Sequence, residues 1–137
     1  MLRLLSFLVV LCLAAAAPLG AQAPGDPVAG VERGIEQLNT SGQVGSVHLF
    51  SQGASTLVVV RMDGAPGHNE ALTVHRGRDC QSIEPKAVSR LADLVNGRSR
   101  STASMSIDRL LSGNYVLVVS NNTPESRAVA CGHLYLR

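Results

Sequence analysis

The sequence predicts an all-β fold, a Greek-key β-sandwich or flattened barrel of roughly seven or eight strands. Two observations carry this expectation. Short apolar segments are punctuated by turn residues roughly every 8 to 14 positions, and those segments are too short and too rich in valine for helices. The sandwich is expected to occupy residues 34–137, behind a signal peptide at 1–21 and a flexible arm at 22–33.

At the start of the chain, Arg3 supplies a positive charge, Leu4 to Ala17 form an apolar run, and Pro18-Leu19-Gly20-Ala21 form a small-residue exit. Together these read as a secretory signal peptide. The run is too short to cross a bilayer, so no transmembrane segment is expected. Cleavage falls after Ala21, with Ala23 as the alternative. Leu11 before Cys12 lacks the small side chain that lipidation requires, so Cys12 leaves with the leader. Pro24, Gly25, Asp26, Pro27 and Gly30 then deny the arm regular structure.

The strands follow in order. Gln43 to Phe50 alternates, with Val47 and Leu49 on one face and His48 and Phe50 on the other. Ala54 to Met62 holds Val58-Val59-Val60 and ends at the turn Asp63-Gly64-Ala65-Pro66-Gly67. Ala71 to His75 sets Leu72 and Val74 against Ala71, Thr73 and His75. Val88, Leu91, Ala92, Leu94 and Val95 recur at spacings that suit a helical turn as well as a strand. Asn96-Gly97 is a hairpin signal. After it, Ser99 to Ile107 alternates through Ser101, Ala103 and Met105. Asn114 to Ser120 and Ala128 to Leu136 complete the set.

Removal of the leader takes one cation, Arg3, and leaves eleven Lys and Arg against ten Asp and Glu. That balance excludes a strongly basic nucleic-acid binder. With no Trp, and only Phe50, Tyr115 and Tyr135 beyond the leader, no stacking platform for single strands or sugars is expected. Cys80 and Cys131 remain in a chain sent to a secreted or periplasmic, oxidising space, which predicts one disulfide. No nucleophile elbow, phosphate loop or zinc-protease helix occurs.

Three segments, in order, resemble copper/zinc superoxide dismutase. Gly45-Ser46-Val47-His48-Leu49-Phe50-Ser51-Gln52-Gly53 is similar to an early strand of that family. Ala71-Leu72-Thr73-Val74-His75-Arg76-Gly77-Arg78-Asp79-Cys80 is similar to its His-Val-His strand and the Gly-Asp-Cys loop after it. Ala130-Cys131-Gly132-His133-Leu134 is similar to its final strand. The resemblance implies the same fold and a disulfide between the two matching cysteines. It also places the first copper ligand on Thr73, the second on His75 and the last on Ser120, so only His75 keeps a ligating side chain. Gln81 to Arg90, where zinc ligands belong, holds no His and no Asp, and Arg127 lies one position too far from Cys131 to match the catalytic arginine. The CHRD domain named after chordin is a second resemblance, through Gly113-Asn114-Tyr115-Val116, but its members generally lack the Cys pair.

The expected function is therefore a non-catalytic binding or structural module, with no cofactor and with a protein or glycan as partner. A metal-handling protein is the alternative, holding copper on His75 with His68, or with His48, within one chain or across a homodimer. A weakly active superoxide dismutase relative is a further form of that alternative. His133 and Tyr135 share one face of the last strand. The basic cluster of Arg90 with Arg98 to Arg100 reads as a solvated loop, or as a contact for an anionic partner such as a polysaccharide or a lipid.

Overall fold

The computed structural model describes residues 30–135, so the signal peptide, Cys12 and most of the expected arm lie outside the described residues. Among the described residues, eight antiparallel strands follow in chain order: β1 (Val31–Gln37), β2 (Val44–Gln52), β3 (Ser55–Asp63), β4 (Glu70–Arg76), β5 (Ala87–Arg90), β6 (Arg98–Ala103), β7 (Tyr115–Asn121) and β8 (Ala128–His133), with one short helix, α1 (Ile107–Leu110), between β6 and β7. Their order across the sheet is β5-β4-β7-β8-β1-β2-β3-β6. Neighbours such as β4 and β7, β3 and β6, and β1 and β8 are far apart in sequence, which makes the connections those of a Greek key. The sheet curls into a flattened barrel. Its two edges are tied where Leu94 bridges Glu70 at the start of β4 and Val95 bridges Arg98 at the start of β6.

Strand faces follow the alternation in the sequence. Val47 and Leu49 of β2, Val58 and Val60 of β3, Leu72 and Val74 of β4, and Leu117 and Val119 of β7 all point inward and are almost wholly buried. These side chains join in one core cluster that fills the barrel. A second, smaller cluster sits outside, where Val116, Val118 and Cys131 are covered by Leu38, Cys80 and Ile83. Apart from Leu38, which follows β1, the cover is the segment 77–86 between β4 and β5, which is fastened by the Cys80–Cys131 disulfide across 51 positions of sequence. Backbone bonds hold its two ends, from Gly77 N to Asn114 O at 3.0 Å and from Glu84 N to Arg76 O at 2.8 Å.

Three local expectations change. The arm was expected to run to residue 33, yet Val31 already begins β1, because Val31 to Ile35 find a complete antiparallel partner in Gly45 to Leu49. The ambiguous stretch at 88–95 is not helical: β5 pairs with β4 to Arg90, and Leu91 and Leu94 then bond back to β4 through Leu91 N to Leu72 O at 2.9 Å and Leu94 N to Glu70 O at 2.8 Å. The strand expected to reach Ile107 stops at Ala103, since Ser106 caps a helical turn by accepting from the Arg109 N–H at 3.4 Å. Asn96-Gly97 does make a tight hairpin. Its φ values of 49° and 72° are those a primed turn needs, and Val95 and Arg98 exchange both backbone bonds across it.

Candidate functional site

Outward-facing residues of β4, β7 and β8 form the surface on which the sequence placed its candidate ligands. Strand register sets them in rows. His75 lies opposite Val116, which lies opposite His133, and in the next row Thr73, Val118 and Cys131 stand side by side. His75 is fully engaged within the chain. Its Nδ1 lies 2.7 Å from the Glu84 carbonyl oxygen and its Nε2 lies 2.9 Å from the Thr73 hydroxyl. A carbonyl only accepts, so Nδ1 carries a proton and donates to Glu84. Segment 77–86 thus covers the outer face of β7 and also fixes the His75 ring.

His68 and His75 are not brought together. His68 is exposed in the β3–β4 connection, ahead of Glu70, whereas His75 is near the far end of β4. His75 lies five positions beyond Glu70, about 17 Å at the rise of an extended chain, too far for the two imidazoles to share one ion in one chain. His48 stands on the other half of the barrel, on β2, 3.5 Å from the Glu32 carboxylate. Ser120 pairs with Ala71, beyond Thr73 from His75. Among the described residues no group of three His, Cys, Asp or Glu side chains is arranged to hold a metal.

The geometry instead draws polar groups into an open groove of about 650 Å³ beside the disulfide, lined among others by Glu36, Arg78, Asp79, Gln81, His133 and Tyr135. These residues come from three separate parts of the chain. Glu36 arrives because β1 pairs with β8, which sets Glu36 opposite Cys131. Asp79 and Arg78 arrive because the disulfide pulls segment 77–86 onto the same edge. His133 and Tyr135 meet edge to face, ring centres 5.5 Å apart. The Nδ1 of His133 is buried and has no hydrogen-bond partner. Such an atom is costly to leave unsatisfied.

Asp79 organises this rim. Its Oδ1 accepts from the Gln81 N–H at 2.9 Å. That bond, helped by Ser82 and by the charge of His133 and opposed by partial desolvation, holds the Asp79 carboxyl below its usual range. Because the folded value lies below the unfolded one, the ionised form favours the folded rim at pH above the ordinary carboxylate range, and this contribution is lost as pH falls through the folded value. Protection of the 77–86 amides against hydrogen exchange, taken relative to their intrinsic rates, is therefore expected to fall on acidification in the wild type, with that acid limb absent in Asp79→Asn. Identical acid limbs in both proteins would remove Asp79 from this role.

Chemically, the groove offers both charges, an imidazole and a phenol, while its cysteine is committed to the disulfide. Such a lining suits recognition of a polar ligand. His133 and Tyr135 were visible in the sequence as one face of a strand. Glu36 and Asp79 were not, since only the β1–β8 pairing and the disulfide bring them there. Comparison with family models, with curated proteins and with solved structures finds no match for this chain.

Proposed function

We propose that this chain is a secreted or periplasmic binding module on a barrel resembling that of copper/zinc superoxide dismutase, without a redox metal of its own. The groove beside Cys80–Cys131 is its recognition site, for a protein or glycan partner. One observation carries this reading: the remaining imidazole of the ligand set implied by the resemblance, His75, has both ring nitrogens committed to Thr73 and Glu84. Copper needs several imidazoles converging on one ion to hold it and to cycle its charge, and a lone, internally bonded ring does not supply them.

Calorimetric titration of the purified protein with Cu(II), together with an assay of superoxide turnover, tests this. Weak copper uptake, unchanged in His75→Ala, and turnover no faster than buffer are expected. One tightly held copper per chain, lost in His75→Ala along with turnover, would make metal handling the function.

A further inference from the structure

Three arginines lie together on the outer face of β3 and β6. Arg61 stands directly opposite Arg98, and Arg100 stands opposite Val59, two positions along β6 on the same face. All three are exposed, while their neighbours Val58, Val60 and Ser99 point inward and are buried. Like charges directly opposite on antiparallel strands oppose folding. The usual relief is a carboxylate nearby, yet the ion pairs among the described residues are Glu32 with His48 and Arg90 with Asp93, and neither includes these three. Among the other described arginines, Arg33 donates to the Tyr135 carbonyl, Arg90 to Asp93 and Arg109 to the Tyr115 hydroxyl, while Arg76, Arg78 and Arg127 are unpaired like the strip but do not face another arginine across a strand pair. The nearest acid on the same face is Asp63, two residues beyond Arg61 on β3, and it makes no ion pair with Arg61 or Arg98.

Space is left around the charges. A shallow groove of about 210 Å³ lies between Arg61, Arg98 and Arg100. It is followed by a wider one of about 520 Å³ lined by Ser46, Arg61, Arg98 and the carboxylate-bearing Asp63. We infer that the Arg61–Arg98–Arg100 strip, a site separate from the groove beside the disulfide, binds an anionic polysaccharide, which goes beyond the recognition proposed for that groove. A local arrangement that costs stability without internal compensation marks a place where function sets the residues. Successive outward positions of β6 recur about every 7 Å along the strand, so Arg98 and Arg100 present planar forks in series to sulfate or carboxylate groups along an extended polyanion.

A lipid surface fits less well. The large exposed apolar side chains near this end, Val44 and Val95, are isolated, far from the continuous apolar face that interfacial binding needs. The formal net charge of the whole chain is only +2, so retention on a polyanion must come from local arrangement and not from bulk charge.

Heparin, immobilised and in solution, is the probe, with neutral dextran as control. Wild type is expected to bind heparin and to be released by salt. The double variant Arg98→Ser with Arg100→Ser is expected to bind about tenfold more weakly, with a flatter dependence of log affinity on log salt. Removing the same charge elsewhere, in Arg76→Ser with Arg127→Ser, is expected to leave affinity close to wild type. The thermal midpoint of the β6 variant is expected to hold or rise as repulsion is relieved; should it fail to fold, Arg61→Ser carries the same prediction. Absence of heparin binding, equal losses in the two double variants, or capture by phosphatidylglycerol vesicles in place of heparin would overturn the strip. Heparin binding alongside copper-dependent turnover would overturn the binding-module reading instead, so the two failures are distinct.

Discussion

Replacing both Cys80 and Cys131 by serine is expected to lower stability by about 4 kcal/mol, the chain-entropy value for a closed loop of this size. The bond spans 51 positions and ties the segment before β5 to the last strand, so its loss frees both the denatured chain and the 77–86 cover. For a domain of about a hundred residues, this corresponds to a fall in Tm on the order of 20 °C. The double substitution avoids a stray thiol. Thermal unfolding followed by circular dichroism reads the effect, and a shift of only a few degrees would show that the barrel stands without its staple. The loss is a large share of what a domain of this size commonly has.

The second large effect is expected at Leu117→Ala. Leu117 sits in the middle of β7, 1% exposed, between Val74 of β4 and Gly132 of β8. Gly132 supplies no side chain to close a gap, so truncation leaves a cavity that the strand backbones cannot fill. A loss of about 2–5 kcal/mol follows, from lost burial plus the void. Val88→Ala, at a position 40% exposed on β5, is the control and is expected to change stability by no more than about 0.5 kcal/mol. Chemical denaturation of both variants checks the pair; equal effects would mean that the barrel interior collapses around lost volume.

Much of the fold was legible because β structure writes itself into alternation. Val47 with Leu49, and Leu72 with Val74, point inward as the period of two requires, and Asn96-Gly97 turns where its positive φ values allow. The disulfide was legible from a count, since two thiols remain once the leader expected at 1–21 is set aside. Less visible were places where the pattern is short or shared. Leu91 and Leu94 keep a helix-like spacing but act as inward plugs on a chain bonded to β4, a tertiary demand that local sequence does not encode. Ser106 halts an alternating run by capping α1, and its hydroxyl was the available signal.

The candidate site was legible only in pieces. The sequence pointed to His75 and Thr73 as a depleted ligand set, and both do face outward on β4. It gave no sign that the Glu84 carbonyl would take up the His75 ring, because that contact depends on how the disulfide lays segment 77–86 across β7. The groove beside it is a product of long-range pairing, with Glu36 and His133 separated by most of the domain and joined only when β1 meets β8.

That meeting of the first and last strands also governs the order of events when the chain is made. Synthesis runs from the N-terminus, so β1 emerges early and forms a hairpin with β2, but its other edge waits for β8. Until Ala128 to His133 leave the ribosome, the barrel has a missing stave, Cys80 has no Cys131 to oxidise with, and the inner faces of β4 and β7 have no closed interior. A chain that lacks its last strand therefore lacks both the closing stave and the disulfide, and exposes the apolar faces of β4 and β7 to aggregation and proteolysis.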